Sequence, residues 1–401
     1  MNKRSRNFYF DASYTSIFPS RSGATRVVER TWREAQKQGT ETRVITRVRE
    51  GQETFFKESQ PSATTRFWPL SLLGKSLKRK QEQEVSWHAG DVLFLPDTYW
   101  AYPHIWPAVA RARERGVCCV PLVYDLIPLK HPEIYGEDGA AMFRTYLQNL
   151  LSHADAIVTI SQTIANELEQ FLLTIKNFSS PPPILPWKLG CDLPSVEHFE
   201  KSDSNNLFKL RSPESAYLVV GSLEPRKNHC FILDVFERLW SVPETQNLRL
   251  AFVGTAGFKS EKVLQRIKMH TKNNKQLFFF SDFNDAALAH AYKGARGVVF
   301  ASIAEGFGLP ITEALAHGQK VFVSDLPIHR EVGGADCEFF SLDNTDALFS
   351  SISKHEKCFG TTSTPHYSHT TPISWEKSAS LLLELLEQCQ MKTSLPSHNR
   401  A

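Results

Sequence analysis

From Ala216 onward the sequence alternates between two kinds of stretch. Short runs of β-branched and aromatic residues (AYLVV, LRLAFV, LFFF, GVVF, KVFV) are each followed by a turn and then by helix signals. Such alternation permits little besides a parallel sheet with helices on both faces. Strands buried on both faces read as continuous apolar runs, as these do. In such a sheet ligands bind beyond the carboxyl ends of the strands, so the turns after the strands are where function is to be sought.

Two of these turns carry more chemistry than a turn requires. GVVFAS, Gly297 to Ser302, leads into EGFGLPITEALAHG, Glu305 to Gly318. Pro310 suits the first helical position and Gly318 the stop. Phe307, Gly308 and Leu309 then offer backbone N–H groups at a helix N-terminus, which favours a phosphate-sized anion. Glu305 is expected in the loop and Glu313 in the first helical turn, so two carboxylates would flank the anion position. For Glu313 a plainer reading stays open, an acid solvating its helix start. AYLVVGSLEPRKNH, Ala216 to His229, places Arg226 and Lys227 in the turn after its strand, before a helix expected to be capped by Asn228. The arginine fork and the lysine point charge both suit phosphate.

Together with SDLPIHREVGGA, Ser324 to Ala335, these segments resemble retaining nucleotide-sugar glycosyltransferases of the GT-B fold, glycosyltransferase family 4. The style of the motifs is similar to that of bacterial mannosyl- and rhamnosyltransferases of surface-polysaccharide assembly. The resemblance implies an α/β chain of two doubly wound, Rossmann-like domains facing each other across a cleft. It implies that Glu305 contacts the transferred sugar, Glu313 holds the ribose hydroxyls and Lys227 binds the diphosphate. Many relatives carry arginine directly after the glycine that ends the strand. This chain has Ser222 there, and Arg226 is the residue able to supply the missing charge. The implied donor is a nucleoside diphosphate sugar, GDP-mannose by first expectation, with no cofactor. No Asp-x-Asp pair occurs to hold a metal on the diphosphate, so metal-independent transfer is expected. No nucleophile for a double displacement stands out. The family proposal is front-face attack, with the donor's phosphate oxygen taking the acceptor proton.

The first half reads as the companion domain. Strands are expected at Asn7–Ser13, Glu41–Val48 and Asp91–Asp97, in the run from Gly116, and from Asp155. A helix is expected between Pro19 and Gly39, with Gly23 at its start; that glycine suits either a plain turn or a close approach to phosphate, and the resemblance favours phosphate. Tyr124 and Asp125 fall where the family carries a histidine or tyrosine before an aspartate, followed by the His131–Pro132 pair, which implies donor contacts there; the stretch after Asp125 reads as a proline-containing loop. Tyr99, Trp100, Tyr102, His104 and Trp106 crowd the loop after one strand and read equally as an acceptor platform or as ordinary packing. The region from Gly51 to Trp87 reads as irregular. Within it Phe67, Trp68 and Leu70 precede Lys75, Lys78, Arg79 and Lys80, a pattern that fits peripheral contact with an anionic membrane or a solvated charge run.

The expected layout is an acceptor-binding domain over 1–190, a linker over 191–214 and a nucleotide-sugar domain over 215–373. A helix over 374–391 crosses back to the first domain, and a tail follows over 392–401. A net charge of +3 over 401 residues is too balanced for nucleic acid as main partner. Seven cysteines without a CxxC pair suit a reducing compartment. The N-terminal apolar run ends at Asp11, too short for a signal peptide, and no run approaches membrane-span length. The expected place is therefore the cytoplasm, at the inner face of the membrane if the basic segment docks. The expected acceptor is a carbohydrate or a lipid-linked oligosaccharide. A glycosidase, a nucleotide-sugar epimerase and a non-catalytic sugar-binding protein remain as rival readings. A nicotinamide oxidoreductase is disfavoured, since no GxGxxG follows either opening strand.

Overall fold

The computed structural model describes residues 7–17, 22–38, 42–50, 53–59, 84–98, 100, 103–175, 181–191, 208, 215–359 and 372–393. The chain forms two compact units, one from Met1–Gly190 with Ser374–Ala401, the other from Cys191–Ile373.

The first unit is built on a seven-stranded sheet. Its strands are β1 (Phe8–Asp11), β2 (Thr42–Glu50), β3 (Glu53–Ser59), β4 (Val92–Leu95), β5 (Cys118–Val123), β6 (Ile157–Thr159) and β7 (Ile184–Pro186). The order is β3-β2-β1-β4-β5-β6-β7, parallel throughout except for the β2–β3 hairpin. The strand order reverses between β1 and β4, the point where such sheets open a crevice. The helix Gly23–Lys37 follows β1. Ser22 caps it, its hydroxyl accepting from Thr25 N–H at 3.2 Å, and Val27, Thr31 and Ala35 bury one face at four-residue spacing. The helix Trp375–Thr393 packs on this same unit. Trp187 Nε1 donates to the Ser378 carbonyl at 2.9 Å, and a Cβ on Gly190 would lie 2.5 Å from Trp375 Cα.

Two sequence expectations need correction here. The region from Gly51 to Trp87 contains β3, which pairs with β2 from Val44↔Ser59 to Glu50↔Glu53. Its run ETFFKES buries Thr54, Phe55 and Phe56 in succession, so no two-residue alternation advertises it. The proline-containing loop expected after Asp125 is instead the short helix Ile127–Lys130 and the long helix Pro132–His153. Pro128 and Pro132 sit within first turns, where the absent N–H costs nothing, and Gly136 at φ 80° kinks the long helix. The apolar and basic segment Phe67–Lys80 lies outside the described residues, as do Tyr99, Tyr102, Pro19 and Gly39.

The second unit holds six parallel strands: β8 (Ala216–Val220), β9 (Arg249–Val253), β10 (Leu277–Phe280), β11 (Gly297–Phe300), β12 (Val321–Ser324) and β13 (Cys337–Phe340). Their order is β10-β9-β8-β11-β12-β13. The last strand and the helix Asp346–Cys358 have no counterpart among the sequence expectations. The order reverses between β8 and β11, so the turns after those two strands share one crevice at the sheet's switch point. The loops after β8 and β9 press together. Gly254, at φ 154°, lies where an added Cβ would stand 2.1 Å from the Gly221 carbonyl oxygen, so only glycine fits.

Candidate functional site

The turn after β8 is a 3₁₀ turn, Pro225–Lys227. The loop after β11 runs from Ala301 to Gly308, ahead of the helix Leu309–Ala316. Ile303 N–H donates to the Arg226 carbonyl at 2.8 Å and stitches the two loops. This apposition puts three sequence-expected side chains into one cluster. Glu305 Oε2 meets Arg226 Nη1 at 2.9 Å, and its Oε1 meets Lys227 Nζ at 2.5 Å. Ser302 Oγ donates to the same Oε1 at 2.7 Å. Lys227 Nζ also lies 4.6 Å from the centre of the Phe300 ring, a cation–π contact.

The cluster continues on its other side. Arg226 Nε donates to Glu224 Oε2 at 2.9 Å, and Ser222 Oγ donates to Glu224 Oε1 at 2.7 Å. Ser222 and Arg226 therefore hold the two oxygens of one carboxylate. Glu224 escaped the sequence reading, although its place two residues before Arg226 was the available signal. Arg226 is not directed to solvent: its side chain is 18% exposed, and Nη1 also reaches the Ala304 carbonyl at 3.4 Å.

Burial and charge compete here. Burial alone would raise the Glu305 carboxyl, but Arg226 and Lys227 pull it down to about 2. Burial pulls the Lys227 ammonium below its ordinary value, and the Glu305 carboxylate pushes it partly back. The 2.5 Å contact with a second cation beside it supports the charged pair at neutral pH. Burial, then Lys227, lowers the neighbouring His229 to about 3, so its imidazole is neutral. Two carboxylates and two cations thus cancel within the cluster.

Phe307, Gly308 and Leu309 complete the loop and the helix start, with Gly308 at φ 95° in the N-cap position. Glu313 departs from expectation. The helix begins at Leu309, so Glu313 falls in its second turn, 4% exposed, and accepts a hydrogen bond from Tyr292 OH at 2.9 Å. It does not solvate its helix start. Asn228 occupies the N-cap position of the helix His229–Trp240, in left-handed backbone at φ 54°, with no side-chain cap bond.

The remaining expected residues lie in the first unit. Gly23 is the first residue of its helix. Tyr124 donates to the Pro96 carbonyl at 2.6 Å, and burial raises its hydroxyl well above the ordinary value. Its hydroxyl ties the end of β5 to the loop after β4, a structural use of the side chain. Asp125 Oδ1 accepts from Ile127 N–H at 3.0 Å at the start of the short helix. Trp100 packs edgewise on Tyr135 and Phe143, and Trp106 stacks on His153, so these two rings take part in ordinary packing. Among the described residues no group of three or more His, Cys, Asp or Glu is placed to hold a metal ion, and no helix is long and apolar enough to cross a membrane.

A sheet that reverses at β8 and β11 sets a carboxylate between two cations at that point, in a doubly wound α/β unit. Comparison with known proteins gives the class a family. The model for Glycosyltransferase Family 4 matches residues 21–175, and that for Glycosyl transferases group 1 matches residues 202–347. The two cover most of the chain, which belongs to this glycosyltransferase family. It is 28% identical over 311 residues to the Serotype-specific mannosyltransferase WbdA of Escherichia coli, covering 76% of this chain and 38% of the relative. It is also 28% identical over 222 residues to the O-antigen chain mannosyltransferase B of Escherichia coli, covering 54% of this chain and 55% of the relative. The match thus spans well under half the length of the WbdA relative. Among solved structures, sucrose-phosphate synthase from Thermosynechococcus elongatus has a TM-score of 0.64 at 14% identity, covering 96% of this chain and 100% of its own. Anabaena HepE, solved with UDP and glucose, has a TM-score of 0.61 at 14% identity over the same shares. These likenesses show the fold, which is GT-B.

Proposed function

We propose that the chain is a retaining, metal-independent hexosyltransferase. It moves mannose, or a similar hexose or deoxyhexose, from a nucleoside diphosphate sugar to an acceptor hydroxyl. The observation that carries this reading is the cluster of Glu305, Arg226 and Lys227 at the switch point of the second sheet. The donor is a substrate, and no cofactor takes part. Arg226, Lys227 and the helix start at Gly308 offset the charge that grows on the departing diphosphate, the kind of preorganised term that usually dominates. Glu305 orients the sugar and stabilises positive charge at its ring. Glu313, held by Tyr292, takes the ribose hydroxyls. In the first unit Gly23 is assigned a helix start for phosphate, Tyr124 and Asp125 are assigned donor contacts, and the unit as a whole is assigned the acceptor. The similarity to O-antigen mannosyltransferases favours GDP-mannose as donor and a growing polysaccharide or lipid-linked oligosaccharide as acceptor, at the cytoplasmic face of a membrane.

A screen of nucleoside diphosphate sugars, followed by release of nucleoside diphosphate and transfer to mannosides, tests the reading. Turnover of a donor with retained anomeric configuration supports it. Free sugar released from a nucleotide-free glycoside, or donor interconversion without an acceptor, would replace it with a glycosidase or an epimerase. Transfer should persist in EDTA; activity abolished by EDTA and restored by Mg²⁺ would overturn metal independence. Glu313→Gln should raise the donor KM roughly tenfold with kcat little changed, since a uniform binding contact is lost. An unchanged KM would leave Glu313 as the structural partner of Tyr292 alone.

A further inference from the structure

His329 is 0% exposed and stands in the helix Pro327–Gly333 behind the cluster. Its Nδ1 lies 2.8 Å from the Ser324 carbonyl oxygen and 3.2 Å from Ser324 Oγ. The carbonyl can only accept, so Nδ1 carries the proton. Ser324 Oγ in turn donates to the Ser302 carbonyl at 2.6 Å, and Ser302 Oγ donates to Glu305 Oε1 at 2.7 Å. The imidazole is thus linked to the carboxylate in steps: Nδ1–H holds Ser324, the Ser324 hydroxyl holds the Ser302 backbone carbonyl, and the hydroxyl of that same Ser302 residue holds Glu305. Ser324 is 0% exposed and Ser302 1%. Ser324 ends β12, and Ser302 lies in the loop after β11, the same loop that carries Glu305. His329 Nε2 is buried without a hydrogen-bond partner among the described residues. An imidazole kept in such a place, against the cost of an orphaned acceptor, calls for a reason that a phenyl ring would not meet.

We propose that His329 is a positioning residue: through Ser324 and Ser302 it holds Glu305 in the orientation that the transferred sugar requires. The proposal rests on the glycosyltransferase reading. Arg226 and Lys227 fix the charge of Glu305, while the serine bond fixes its rotamer. Such holders act on catalysis when a group must stay within about 0.5 Å of its productive place. The substitution His329→Asn would keep an N–H near the position of Nδ1, whereas His329→Phe would keep a ring and lose the donor.

The test compares wild type with His329→Phe, His329→Asn, Ser302→Ala and the pair Ser302→Ala with His329→Phe. The probes are GDP-mannose turnover with methyl α-mannoside, GDP affinity and thermal unfolding. Expected are at least tenfold losses of kcat in His329→Phe and Ser302→Ala with GDP affinity within twofold of wild type. His329→Asn should stay within threefold of wild type. The double variant should be no slower than the slower single one, because any effect of His329 reaches Glu305 by way of the Ser302 hydroxyl that Ser302→Ala already removes. Thermal losses should be non-additive for the same reason. A packing role alone would make His329→Asn, which leaves the larger cavity, at least as damaging as His329→Phe. That ranking, a kcat for His329→Phe within twofold of wild type, or additive effects would overturn the proposal. Should His329→Phe fail to fold, the kcat of Ser302→Ala and the standing of His329→Asn decide it. A wild-type chain that turns over no nucleotide sugar would instead sink the donor-transfer reading, and the unfolding cycle would then decide the hydrogen-bonded chain alone.

Discussion

Replacing Glu305 with glutamine should lower kcat by ~10²–10³-fold while GDP still binds, the range seen when one preorganised electrostatic contact is lost. The side chain keeps its shape, so the loss reports charge. In the proposed reaction that charge matters most as the sugar ring becomes cationic, and least when the ground-state donor docks. The cluster adds a second consequence. Arg226 and Lys227 are balanced by Glu224 and Glu305. Glutamine would leave an excess positive charge, which a diphosphate can neutralise. The unliganded variant should therefore be less stable, by about 3–5 kcal/mol if the buried pair is fully broken, and GDP should recover part of that loss. The pH dependence follows from a carboxyl that sits near 4.5 in the unfolded chain and at about 2 in the folded one. Its contribution is present above pH 4.5 and is lost as pH falls toward 2. The shift corresponds to about 3 kcal/mol at most, and the lowered Lys227 offsets some of it. Acid unfolding should thus be steeper in wild type than in Glu305→Gln over this window. A kcat near wild type in the variant would remove Glu305 from the chemistry.

Arg226→Ala should cost about 3 kcal/mol in kcat/KM, the loss of one strong donor to the departing diphosphate. Its guanidinium already spans two carboxylates, Glu224 at 2.9 Å and Glu305 at 2.9 Å. A fork that grips two carboxylates can grip two phosphate oxygens. Arg226→Lys should recover only part of the loss, because a point charge cannot copy the fork. Adding Ser222→Arg to Arg226→Ala should restore some activity, since Ser222 and Arg226 hold the two oxygens of the same Glu224 carboxylate. Kinetics of Arg226→Ala within twofold of wild type would leave Lys227 and the helix start at Gly308 as the diphosphate contacts of the second unit.

The sequence by itself determined the strands that carry the site and the turns that hold its chemistry. Continuous apolar runs such as AYLVV and GVVF can be satisfied only by burial on both faces, and a proline and a glycine punctuate the helix after Glu305. It could not announce β3, where Thr54, Phe55 and Phe56 are buried in succession, nor the helix Pro132–His153, whose start carries a proline and a kinked glycine. Partners that meet only across strands were also beyond it. Tyr292 reaches Glu313 from a different helix, and His329 is tied through Ser324, at the end of β12, to the loop after β11 that carries Ser302 and Glu305. Spacing along a chain cannot encode these contacts, because they depend on strand order. The order β10-β9-β8-β11-β12-β13 sets the turn after β8 beside the loop after β11, although 78 positions separate Arg226 from Ala304 in sequence. Residue types decided which charges were available. The reversal of the sheet at β8 and β11 decided that they meet, and the two cations there hold Glu305 ionised against the effect of burial.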